Sequence, residues 1–110
     1  MWVFTNIGFF SVVEVNGDHT RVVVHARAKD HLKKLQKLAS HKAIPIHEDE
    51  GTDYAYRVYM TKEKWKEVLG KLADGIDYTN FKDSVEEGPY HNALFDVWRV
   101  MLMYQRGRTH

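Results

Sequence analysis

The chain has no cysteine. Disulfide staples, thiol nucleophiles and zinc–thiolate sites are therefore excluded, and a reducing cytoplasm suits it. Proline is scarce as well, with only Pro45 and Pro89. An excess of one charge is also missing: 16 Lys and Arg face 15 Asp and Glu, a formal net charge of +1. That balance gives no overall electrostatic footprint for duplex DNA or an acidic membrane, and it disfavours nucleic acid as a partner except through local patches. No apolar run approaches the roughly 18 residues of a spanning helix. The apolar start MWVFTNIGFFSVVEV lacks a basic leader and a small-residue cleavage site. The expectation is a cytoplasmic protein with no membrane segment.

Chemical signatures are equally sparse. Neither GxxxxGK[ST] nor GxGxxG occurs, so no phosphate loop is expected. Ser11, Ser40 and Ser84 stand outside any GxSxG context. The seven histidines, His19, His25, His31, His41, His47, His91 and His110, show no HExxH or other ligand spacing. The run HEDE at 47–50 precedes a turn glycine and reads as a solvated loop. No metal and no cofactor are expected.

What is present is material for a core. Hydrophobic residues make up 44% and aromatics 13% of 110 residues, enough for a single domain over 1–110. Residues 2–15 are rich in Phe, Val and Ile without a helical period, and Gly8 suggests a bulge or bend. Asn16-Gly17 is a strong hairpin signal, and 20–28 reads as the returning strand. Leu32, Leu35, Leu38 and Ala39 then fall at helical spacing within KDHLKKLQKLASH. The pattern recurs. IPIHED at 44–49 is a short strand weakened by Pro45. YAYRVYM at 54–60 alternates, with Tyr54, Tyr56, Val58 and Met60 on one face and Ala55, Arg57 and Tyr59 on the other. Thr61 is a helix N-cap with Glu63 in the first turn, and Trp65, Val68, Leu69, Leu72 and Ala73 form an apolar stripe.

Two ββα units, 1–41 and 44–74, are therefore expected to share a four-stranded, mainly antiparallel sheet with two helices on one face, an α+β fold. A connector over 75–88 leads to a third helix over 89–106, with Pro89 at its first position. Its stripe of Tyr90, Leu94, Val97, Trp98, Met101 and Tyr104 is broad. Leu94, Trp98 and Met101 are expected to bury, against the domain or against a second copy in a homodimer.

The blocks MWVFTNIGFFSVV, DYAYR, IDYTNFKDSV and YHNALFDVWRVM resemble, in that order and over nearly the whole chain, a family of small bacterial proteins of unknown function. The resemblance implies a single-domain cytoplasmic protein and carries no activity. The family's pattern has Arg-Ala-Arg where this chain has His25-Ala26-Arg27, so an imidazole replaces one guanidinium.

The densest polar-aromatic stretch is GIDYTNFKDSVEEGPYHNAL, 75–94. As a plain connector, Asp77 would cap a helical turn by accepting from Thr79 or Asn80, and Phe81 and Val85 would fill the core. As a site, Lys82 and His91 would border a pocket that also holds Arg57. Arg27, Arg57, Tyr78, Lys82 and His91 are the candidate ligand-binding residues, a set suited to a small anionic ligand such as a nucleotide. Pairing of these cations with acids such as Asp53 or Asp77 would make the arrangement structural. The leading expectation is a non-enzymatic binding protein whose partner is a small anionic ligand or another protein. One alternative is a metal-independent phosphodiesterase or nuclease using His25 or His91 for proton transfer and Arg57 for phosphate. Another is a single-stranded nucleic-acid binder, using a sheet face that bears His25, Arg27, Arg57 and Tyr59.

Overall fold

A computed structural model describes residues 1–39 and 44–107. It falls into two compact units, Met1–Asp77 and Tyr78–His110. Ser40 and His41, expected at the end of the first helix, and His110 lie outside the described residues. Among the described residues, no helix is long and apolar enough to cross a membrane.

The first unit is α+β. Its strands are β1 (Trp2–Thr5), β2 (Gly8–Val15), β3 (Asp18–Ala26), β4 (His47–Glu48) and β5 (Tyr56–Thr61). They form one antiparallel sheet in the order β1-β2-β3-β5-β4. The expected count of four strands is thus corrected to five, and the first unit opens with three strands before its helix. The apolar stretch 2–15 breaks at Asn6-Ile7, where the chain reverses. The Thr5 hydroxyl closes this turn, accepting from the amides of Ile7 (3.2 Å) and Gly8 (3.1 Å) and donating to the Gly8 carbonyl (2.8 Å). Gly8 is required there by close approach. A Cβ at this position would lie 2.5 Å from both Cβ and Cγ of His31. The Asn16-Gly17 turn joins β2 to β3 as expected, with Gly17 at φ 82°.

Helices α1 (Lys29–Ala39) and α2 (Lys62–Asp74) pack on one face of the sheet. Alternation sorts the strand residues. Phe10, Val12, Val22, Val24, Ala26, Val58 and Met60 face the helices and meet Leu32, Leu35, Ala39, Trp65 and Val68. Thr61 caps α2 by accepting from the Lys64 amide at 3.0 Å, and Glu63 sits in the first turn. Ala73, read as part of the stripe, is exposed. The 44–49 strand shrinks to His47–Glu48, leaving Pro45 outside it.

The second unit holds a 3-10 turn, Lys82–Ser84, and helix α3 (Pro89–Gln105). Asp77 does not cap the turn. Asn80 does, its Oδ1 accepting from the Asp83 amide at 3.1 Å. Asn80 stands one residue ahead of Phe81, where the turn begins, and its side chain reaches the amide three residues on. Val85 and Leu94 are buried and Phe81 is half-buried. Of the three α3 residues expected to bury, only Leu94 does. Trp98 and Met101 are exposed at 44% and 55%. The stripe is longer than the short 3-10 turn that α3 meets inside its own unit.

Trp65 is 6% exposed within the core that also holds Met60 and Val68. Trp65→Ala is expected to lower stability by about 3–5 kcal/mol through lost transfer energy and a residual cavity. Urea unfolding checks this. A change below about 1 kcal/mol would mean the indole is not a core residue.

Candidate functional site

The sheet face opposite α1 and α2 carries the chemistry of the first unit. Register places Trp2 beside Ser11, Ser11 beside His25, His25 beside Arg57, and Arg57 beside His47. One row therefore crosses all five strands. Phe4 pairs with Phe9 on the same face, and Val13, Val23 and Tyr59 form a parallel row.

Tyr54 is the centre of this face. The residues 52–55 bend before β5 begins, so the alternation expected from Tyr54 onward starts only at Tyr56. Tyr54 consequently leaves the core side to which it was assigned. Its ring stacks on His25 (5.3 Å, 25°) and meets Phe9 at 6.4 Å, and the Arg27 guanidinium lies 4.2 Å from its centroid. Phe9 in turn stacks on Phe4 at 4.4 Å and takes Trp2 edge-on at 5.9 Å. A continuous line of rings thus runs from Trp2 to His25. Each such pair contributes about 0.5–1.5 kcal/mol beyond burial.

Arg27 and Arg57 converge on the Tyr54 segment but differ in their partners. Arg27 Nη1 donates to the Asp53 carbonyl (3.1 Å) and lies 3.4 Å from the Asp53 carboxylate, an exposed pair worth about 0–1 kcal/mol. Arg57 Nη2 donates to Thr52 Oγ1 (2.8 Å) and to the Tyr54 carbonyl (3.3 Å). It has no carboxylate partner among the described residues, and its Nε is buried without an acceptor. Neutral acceptors orient the guanidinium without neutralising it.

Burial, with the neighbouring Arg57 cation adding to it, pushes the His25 imidazole below the usual histidine range. Burial also lowers His31, whose Nδ1 accepts from the Phe9 amide at 3.2 Å and so must be unprotonated. At the far side of Arg57, His47 stands edge-on to Tyr59 at 5.5 Å, and the Arg21 guanidinium lies 5.7 Å from the Tyr59 centroid.

The remaining candidates, Tyr78, Lys82 and His91, belong to the second unit and are described within it. Tyr78 meets Phe81 at 5.9 Å. The Lys82 ammonium lies 4.1 Å from the Trp98 ring and 5.8 Å from Phe95, a cation held by aromatic faces. His91 is half-buried in the first turn of α3. The residues missed from sequence are Trp2, Phe4, Phe9 and Tyr54. Their signal was present: once the chain reverses at Asn6-Ile7, alternation puts the first three on the His25 side.

A cavity of about 300 Å³ opens on the helical side of the first unit, among Ile7, Lys34, Lys37, Leu38, Lys71 and Leu72. None of the candidate residues lines it. Among the described residues no group of three His, Asp or Glu could share a metal ion. No family model, curated protein or solved structure matches the chain.

Acid is expected to weaken the fold through His25 and His31. Their folded pKa values lie below the ordinary value of about 6.5. The unfolded chain therefore takes up protons first as pH falls through that value, and stability drops until the folded pKa is passed. Glu14, Asp18 and Glu67 are lowered too, by hydrogen bonds from Lys62, Thr20 and Lys64 respectively, so their loss comes at lower pH. Melting temperature should fall between about pH 7 and 5, and less steeply in a His25→Gln/His31→Gln double variant. Equal slopes in both proteins would remove these histidines from the acid response.

Proposed function

We propose that the chain is a non-enzymatic binding protein and that the Tyr54 cluster takes an anionic ligand carrying a planar ring, of which a nucleotide is the class. One observation carries this reading: Arg57 is a half-buried cation with no carboxylate partner among the described residues, beside a tyrosine already stacked with an imidazole and a second arginine. A phosphate would give Arg57 the missing charge partner, and a base would extend the line of rings. Arg27 contributes as a weaker anchor because Asp53 competes for it. The hydrolytic alternative needs two proton-transfer groups on one anion. Of the two imidazoles named for proton transfer, His25 is engaged in a ring stack with Tyr54 and His91 belongs to the second unit.

Titration calorimetry with uridine monophosphate and with inorganic phosphate tests this reading. The nucleotide should bind more tightly than phosphate. Arg57→Gln should weaken it by roughly tenfold to hundredfold, the equivalent of one charge-assisted hydrogen bond, with little change in melting temperature. A large fall in melting temperature, with no binding to the unsubstituted protein, would make Arg57 structural and sink the proposal.

For assembly, we propose a second copy as the partner of α3, because Phe95, Trp98, Met101 and Tyr104 leave an exposed apolar stripe. Sedimentation should report a dimer that Trp98→Glu dissociates. A monomer at all concentrations would exclude it.

A further inference from the structure

We infer that the occupant of the sheet face is a single-stranded nucleic acid lying across the strands, an inference that rests on the nucleotide reading of the Tyr54 cluster and extends it. The face offers three ring groups rather than one. Trp2, Phe4 and Phe9 form the first, on β1 and β2. Tyr54 with His25 forms the second. Tyr59 with His47 forms the third, on β5 and β4. Adjacent strands are about 4.8 Å apart, so a row over five strands spans roughly 19 Å. A mononucleotide fills one ring group; only a chain of nucleotides meets all three.

The cations accompany the rings. Arg27 lies over Tyr54, Arg21 lies over Tyr59, and Arg57 stands between His25 and His47 in the register. Among the described residues an ion pair brings only Asp53 to these three arginines, and Asp18 lies near enough to Arg21 to feel its charge. A polyanion is therefore complementary to the face even though the whole chain is nearly neutral. The same near-neutrality argues against a duplex, whose binding rests mainly on phosphate charge and whose bases are already stacked on one another. Single strands offer free base faces, and stacking on protein rings contributes without reading sequence. Trp2 is 70% exposed, an open ring at one end of the row.

The test is fluorescence anisotropy of the full chain with labelled oligouridylate and oligothymidylate of about eight nucleotides, with uridine monophosphate measured alongside. At least one octamer should bind tenfold or more tightly than the mononucleotide. Arg21→Gln and Tyr59→Leu should erase most of that gap while leaving mononucleotide affinity unchanged, and Tyr59→Phe, which keeps the ring, should retain it. The logarithmic salt dependence of octamer binding should have a slope of about −2, near 0.7 for each of three arginines on a single strand. If the octamers and the mononucleotide bind equally, or Arg21→Gln and Tyr59→Leu change nothing, the extended site is wrong and the Tyr54 reading stands. If neither octamer nor mononucleotide binds, both fall. Equal competition by a duplex of the same length would replace stacking by bare charge and overturn the inference.

Discussion

The alternation of β3 is the constraint on which the first unit depends. Its residues pair with β2 on one side and β5 on the other, so it is the middle of the sheet. Val22, Val24 and Ala26 point toward the helices, and Val23 and His25 point away. Because the side-chain period of a strand is two, a slip of one residue would exchange the faces. It would bury His25 among apolar groups and expose Val24, which is fully buried now. The packing that stabilises the helices therefore also fixes which polar groups share the opposite face. The core and the opposite face are two readings of one register.

That register explains the electrostatics. A strand residue directly opposite another has its Cβ about 4.5–5.5 Å away. Pairing His25 with Arg57 thus sets an imidazole beside a guanidinium, and burial first, then that cation, lower the imidazole's affinity for a proton. The guanidinium cannot yield, since arginine keeps its proton. Its charge is left to the neutral oxygens of Thr52 and Tyr54. The bend over 52–55 supplies both acceptors and delivers the Tyr54 ring to His25 and Arg27, so one irregular segment orients the cation and builds the stacking surface.

Elements whose signal is local were legible in the sequence. Thr61 capping α2, the Asn16-Gly17 hairpin and the Trp65 stripe each depend on neighbours within a turn or two of chain. The division of 2–15 into two strands was not legible, because the Thr5 hydroxyl closes the turn and Gly8 reads equally well as a bulge. That one miss hid half of the aromatic face, since Trp2 and Phe4 meet Ser11 and Phe9 only if the chain reverses between them. Tyr54 was misassigned for the complementary reason: a period of two was carried back past the first residue of β5, into a bend that does not keep it. His25, Arg57 and Tyr59 share the face on which they were grouped because they lie inside regular strand, where the period holds, and Arg27, just beyond it, reaches Tyr54.

His31 ties these parts together from the helical side. Its Nδ1 takes the Phe9 amide, and its Cβ and Cγ occupy the space that a side chain at Gly8 would need. Phe9 is the ring through which Trp2 and Phe4 connect to Tyr54. A residue of α1 thus holds the start of β2 in place, and β2 presents the ring in the middle of the line. As an acceptor Nδ1 carries no proton, and burial lowers the ring's affinity for a second one. Protonation of Nδ1 would set a second donor against the Phe9 amide, while the turn before it stays closed by Thr5. The aromatic line on one face is therefore tied, through the Phe9 backbone, to an acceptor on the other.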